Sequence, residues 1–152
     1  MFVELAKATS AEEVYQAALD LMRKVLNPER ALVFYGYDKD DTLAVRCGMG
    51  LDISNVYLTG EISLSILQET LEAGEPRVLV DAQEDPRFGD RTSTLLSGIR
   101  SVLSCPIKEK GEPVGLLYVD NRLQKGVFKD EHVQWINTLA DQVVQRLGQI
   151  IA

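Results

Sequence analysis

Apolar residues recur at three- and four-residue steps from Val14 through Ala17, Ala18, Leu21 and Met22 to Val25. That spacing predicts an amphipathic helix with one stripe facing a core. Ser10-Ala-Glu-Glu13 precedes it as a capping box, in which the Ser10 hydroxyl accepts from the Glu13 amide. Asn27-Pro28 ends it, because a residue before proline avoids the helical region. Ala31 to Tyr37 is apolar at successive positions, so it reads as a strand covered on both faces. Asp38 to Asp41 is then a hairpin turn, and Thr42 to Gly48 pairs back antiparallel. Residues 51 to 61 carry no clear period.

A second helix is predicted over Ser63 to Ala73 by Ile62, Ile66, Leu67 and Leu71, with Gly74 just past its end and Pro76 beyond. Arg77 to Val80 follows as a short strand. Residues 81 to 100 are the longest poorly patterned stretch, with a weak helical signal from Ser93 to Ser97; irregular segments of this length often serve as lids. Val102 to Lys108 and Pro113 to Asn121 form a hairpin around Gly111, and the apolar run Val114 to Val119 marks a central strand. The chain closes with a helix from Lys129 to Ile151, its stripe running through Ile136, Leu139, Ala140, Val143, Leu147 and Ile150.

The order α-β-β-α-β-β-β-α, dominated by hairpins, predicts an α+β fold: an antiparallel sheet of about five to six strands with the terminal helices together on one face. The segment from 51 to 100 is left to cover the other face, which creates a concave space suited to a small molecule. At 152 residues the chain is expected to form a single domain, residues 1–152, with a core needing neither metal nor disulfide.

Charge narrows the partners. Sixteen Lys and Arg against 23 Asp and Glu give a net charge of −7, which opposes nucleic-acid binding. Between Glu61 and Arg91 there are eight acids and three arginines, read as a solvated surface. No apolar run approaches the roughly 20 residues of a membrane span, and the first ten residues do not follow the plan of a secretion signal. Cys47 and Cys105 fit neither zinc spacing nor a redox pair; they read as reduced core thiols, which suits a cytoplasmic protein.

Several short stretches, taken in order, carry a resemblance: Gly74-Glu-Pro76, Asp81-Ala82 with Asp85-Pro-Arg-Phe88, Gly98-Ile-Arg-Ser-Val102, Cys105-Pro106, and Gly115-Leu-Leu-Tyr-Val-Asp-Asn-Arg122 leading to Phe128. Together they resemble the GAF sensory domains of bacterial signalling proteins. The Asp-Asn-Arg-plus-phenylalanine form is similar to those of sensor histidine kinases, enhancer-binding activators and nucleotide cyclases. The resemblance covers nearly the whole chain. It implies a non-catalytic regulatory module, often a homodimer, working beside effector domains in a longer chain and taking a small-molecule ligand whose identity it leaves unknown.

Family chemistry is tested residue by residue. Cyclic-nucleotide-binding relatives have an Asn-Lys pair, a phenylalanine, three residues and an Asp-Glu pair; here Asn121-Arg122, Phe128 and Asp130-Glu131 have only one intervening residue. Phe128 therefore reads as a core anchor, and the two acids as partners of the helix dipole. Neither cysteine is followed by the histidine of bilin-binding relatives, and two separated thiols are a poor start for methionine sulfoxide reduction. His132, the one histidine, reads as a surface helix residue. No metal site is expected.

The candidate ligand-binding residues are Tyr57, Ser93, Ser97, Arg100, Ser101, Tyr118 and Asp120. Arg100 lies just before a central strand, where its guanidinium can hold an anion or pair internally with Asp120; the ion pair is the plainer expectation. The hydroxyls can meet a ligand or cap local turns. A cavity of about 300 Å³ or more on the 51–100 side would favour a sensor over a pure dimerisation module. Finally, Trp135 and Val144 lie off the main stripe of the last helix, so part of its apolar surface needs cover from the Met1 to Lys7 segment or, as favoured here, from a second subunit.

Overall fold

A computed structural model describes residues 2–86 and 98–151, with Ile151 as backbone only. Five strands form one antiparallel sheet in the order β2-β1-β5-β4-β3: β1 (Arg30–Tyr37), β2 (Leu43–Met49), β3 (Arg77–Leu79), β4 (Ser101–Glu109) and β5 (Glu112–Asn121). Helices α1 (Val3–Lys7), α2 (Ala11–Leu26), α3 (Val56–Thr59), α4 (Leu64–Ala73) and α5 (Asp130–Ile151) complete it, with a single 3₁₀ turn at Ile53–Asn55. The expected α+β architecture is the observed one. The unpatterned stretch from 51 to 61 proves to hold the 3₁₀ turn and α3, elements too short to leave a period.

The caps act where the sequence placed them. The Ser10 hydroxyl accepts from the Glu13 amide at 3.2 Å, and Asn27 takes the left-handed conformation that ends α2, donating its N–H to Arg23. Gly74 ends α4 at φ +68°, a backbone that a side chain would strain.

Alternation along the central strands divides the interior into two layers. Ala31 and Val33 of β1, Leu117 and Val119 of β5, and Leu103, Cys105 and Ile107 of β4 pack under α2 and α5. Leu32 and Phe34, Leu116 and Tyr118, and Val102 point the other way, into a second cluster closed by Val56, Ile62, Ile66 and Leu67 from the connecting segment. Gly115 has no room for a side chain, since a β-carbon would press on the Phe34 carbonyl oxygen. β1 and β5 can therefore lie close at this point.

The short α1 was not foreseen as a helix, and it changes the account of the last helix. Phe2 meets Trp135 edge-on with ring centroids 6.0 Å apart, and Leu5 is buried beside them. Trp135, half-buried, is thus covered in part within the chain, by Phe2 of the N-terminal segment named as the alternative to a second subunit. Arg146 of α5 fastens the same corner by donating to the Ala8 carbonyl at 2.7 and 3.0 Å.

Candidate functional site

On the face away from α2 and α5, one end of the sheet is closed by a buried ion pair and the other opens into a cavity. The register places Arg30, the first residue of β1, directly opposite Asp120, near the end of β5. Arg30 donates from Nε and Nη2 to the two Asp120 carboxylate oxygens at 2.8 and 2.7 Å, with both side chains excluded from solvent. The Tyr118 hydroxyl donates to the same carboxylate. Burial raises the Asp120 pKa, and the hydrogen bonds and charge of Arg30 oppose that rise; the bidentate geometry keeps the pair ionised. Burial also lifts the Tyr118 phenol well above its ordinary range, with the Asp120 charge adding to the effect.

Arg100 belongs elsewhere. Its guanidinium donates to Asp81 at 2.6 Å, so the expected Arg100–Asp120 pair is replaced by two pairs, Arg30–Asp120 and Arg100–Asp81. The reason is strand order: β1 lies beside β5 and presents Arg30 to Asp120, while the Arg100 amide bonds the Asn121 carbonyl at the strand's end. Ser101 is fully buried; its hydroxyl donates to the Gln124 carbonyl at 2.7 Å and accepts from the Val127 amide at 3.1 Å. Tyr118, Asp120 and Ser101 are therefore committed to internal partners. Ser93 and Ser97 lie outside the described residues. Among those residues, Arg30 Nη1 and Ser104 Oγ are buried without a hydrogen-bond partner.

The cavity, of about 380 Å³, sits at the opposite end of β1. Its floor is the paired residues Phe34 and Leu116. One wall is Leu64, Leu67, Gln68 and Leu71, which share a side of α4; the other is Tyr57 of α3 with Leu43 of β2. Tyr37, Asp41 and Thr42, at the hairpin turn, form the rim. Phe34 and Tyr57 stand 6.3 Å apart at 56°. The Tyr57 hydroxyl donates to the Leu43 carbonyl at 2.7 Å, and its pKa is pushed up to about 12, first by burial and then by the charge of Asp38. Larger depressions of about 560 and 570 Å³ are surface grooves flanked by charge, one by Asp20, Arg23 and Lys24, the other by Asp81, Glu84, Asp85 and Lys125. Of the sequence candidates, Tyr57 alone among the described residues lines the cavity. A signal for part of the rest was present, since Leu67 and Leu71 stand on the predicted stripe with Ile62 and Ile66, while Leu64 and Gln68 were not singled out.

The thiols lie on the wrong side for chemistry in this cavity. Cys47, Val33, Leu117 and Cys105 form one row across four strands, so three strand spacings of about 4.8 Å separate the sulfurs' backbones by roughly 14 Å, too far for a disulfide. Both pack in the layer under α2 and α5, and burial pushes each thiol up to about 12. Phe128 is buried in that same layer, while Arg122 pairs with Glu29 at 3.0 Å and His132 Nδ1 accepts from the Lys129 amide. The fragments Asn121-Arg122, Phe128 and Asp130-Glu131 thus form no ligand site together on the cavity face. No cluster of metal-ligating side chains occurs among the described residues.

The model of the GAF domain family matches residues 10–147. The chain belongs to the GAF domain family. A hybrid signal transduction histidine kinase, kinase G of Dictyostelium discoideum, is 25% identical over 85 residues, which make up 56% of this chain and 2% of that protein. The chain thus spans a small fraction of that relative's length. Among solved structures, residues 122 to 287 of a methyl-accepting chemotaxis protein superpose with a TM-score of 0.73 at 21% identity, covering 98% of this chain and 95% of that one. Free methionine-R-sulfoxide reductase from Neisseria meningitidis gives a TM-score of 0.74 at 14% identity, over 98% of this chain and 84% of that one. These likenesses establish the GAF fold. No helix among the described residues is long and apolar enough to cross a membrane.

Proposed function

We propose that this GAF domain is a non-catalytic sensor that binds a small molecule in the cavity between β1, β5 and the α3–α4 segment, and passes the bound state to its terminal helices. The observation that carries this reading is the cavity itself, whose volume falls within the range of small-molecule sites and whose floor is two fully buried core residues. A pure dimerisation module has no use for such a space. Reduction of a sulfoxide by thiol chemistry is disfavoured by the position of Cys47 and Cys105 behind the sheet, away from the cavity.

The reading extends to the surroundings. Similarity to signalling proteins supports a place beside effector domains in a longer cytoplasmic chain. Homodimerisation through the terminal helices would supply the output: Val3 and Val25 remain exposed on that layer, and Val144 is only half-buried. Ligand binding needs only to favour one arrangement of those helices. The test is a thermal-shift screen of metabolites, repeated with Leu64→Trp to plug the cavity mouth. Protection that the plug removes supports the sensor; silence across the library, with Leu64→Trp unchanged in stability and assembly, overturns it. Sedimentation of wild type and Val144→Glu, with circular dichroism to check folding, tests the dimer.

A further inference from the structure

We propose that the cavity selects an aromatic amine, a planar ring bearing a cationic nitrogen, over an anionic ligand of the same shape. This rests on the sensor reading above and adds the ligand's charge and hydrogen-bonding character. The first observation is the shape of the apolar part. The half-buried Tyr57 ring stands inclined over a buried floor of Phe34 and Leu116, with Leu64, Leu67 and Leu71 opposite. Such walls favour a ring that stacks or packs edge-on.

The second observation is that the two phenol hydroxyls at the cavity present acceptors, because their hydrogens are engaged. The Tyr57 hydroxyl hydrogen goes to the Leu43 carbonyl at 2.7 Å and that of Tyr37 to the Pro113 carbonyl at 3.0 Å. Gln68 gives one amide hydrogen to Glu72 at 3.1 Å and keeps its carbonyl oxygen as a further acceptor. Lone pairs on these oxygens, and the carboxylate of Asp41, are what a ligand meets.

The third is charge. Among the described residues lining the cavity none is cationic, and Asp41 is the one ionised group. Asp41 makes no ion pair among the described residues, while Asp38 stands in the same turn and Glu72 beyond Gln68. Lys39, at the exposed tip of the turn, does not line the cavity. Arg30 is four residues along β1 from Phe34, about 13 Å by strand rise, with its charge matched by Asp120. The unpaired charge that the described residues place at the mouth is negative, which favours an ammonium over a carboxylate or phosphate.

The experiment is isothermal titration of the intact chain with tryptamine, indole and indole-3-propionate, a set in which the ring is constant and the charge changes. Tryptamine should bind at least about tenfold more tightly than indole-3-propionate, with indole between them. Asp41→Asn should weaken tryptamine about threefold and leave indole unchanged, a modest effect because Asp41 is exposed. Leu64→Trp, and Leu71→Trp as a second plug should the first misfold, should abolish all three. Equal or tighter binding of the propionate overturns the proposal while leaving the sensor intact. So does failure of every indole when other compounds protect the protein in a manner lost on plugging. Failure of every compound, plugged or not, removes the sensor reading as well.

Discussion

The two faces of the sheet are built from the same three central strands, yet one became solid core and the other a core with a gap. On one side α2 and α5, of 16 and 22 residues, reach across several strands, and Ala31, Val33, Leu117 and Leu103 beneath them are wholly shielded from solvent. On the other, the cover among the described residues is a ten-residue helix, a four-residue helix, a 3₁₀ turn and loops. Those pieces shield Leu32 and Ile66 but leave Leu64 39% exposed, and Leu58 points outward. The reach of the covering element, rather than the hydrophobicity of the strand, decided which face acquired a cavity. The cavity face compensates with a buried Arg30–Asp120–Tyr118 cluster, which pins β1 to β5 where apolar packing gives out.

The sharpest way to break this comparison is at that cluster. Asp120→Ala leaves Arg30 buried without its counter-charge and the Tyr118 hydroxyl without an acceptor, and should cost about 3–5 kcal/mol in urea unfolding. A loss below about 1 kcal/mol would mean that the cluster does not anchor its face. Next comes matched truncation on the two faces. Leu139→Ala, on the buried side of α5 at zero exposure, should cost about 2–5 kcal/mol. Leu64→Ala, at the cavity mouth, should cost under about 1 kcal/mol. Equal costs would abolish the distinction between the faces.

The smallest effect concerns the corner where β5 leaves the sheet. Hydrogen bonds from Arg122 hold the Glu29 carboxyl below its ordinary pKa of 4.5, so the pair adds stability above that pH and loses it as the pH falls through the lower folded value. Glu29→Gln should cost roughly 0.5 kcal/mol at pH 7, since Arg122 is half-exposed, and the difference from wild type should shrink as the pH falls through the lowered folded value. Urea midpoints at pH 7 and pH 3.5 check both the sign and the window.

Much of the fold was legible because its long elements declare themselves. The stripes of α2 and α5, the cap at Ser10 and the hairpin at Gly111 are local signals, and the structure keeps them. What was not legible depends on which strands become neighbours. Arg30 stands at the head of one apolar run and Asp120 at the tail of another, a complementary pair once β1 and β5 are antiparallel neighbours; without that order, Arg100 was the nearer candidate in sequence. A concave space on the 51–100 side was expected, but its lining escaped for a related reason. The residues of α4 that line it are three leucines and Gln68 at helical spacing, a pattern shared with a core stripe. The N-terminal segment was one of the two covers named for Trp135, but its helical form was hidden because a five-residue helix gives too short a stretch for its period to be read.

Ser101 has a consequence that concerns mechanics more than ligand chemistry. Its hydroxyl holds Gln124 and Val127, and the neighbouring Gly126 amide donates to the Val80 carbonyl at 2.8 Å, so the run leading into α5 is lashed to the end of β3. Leu103, Leu117 and Val119 of the central strands are wholly buried in the layer under α2 and α5, which resists sliding between those strands. On the proposed sensor reading, a displacement of the covering segment would have a shorter route: it would tug the edge strand, the edge strand would carry the lashed run, and the run would turn the first coil of α5. The two faces would then communicate around the rim of the sheet, as a drawstring does, and not through its middle.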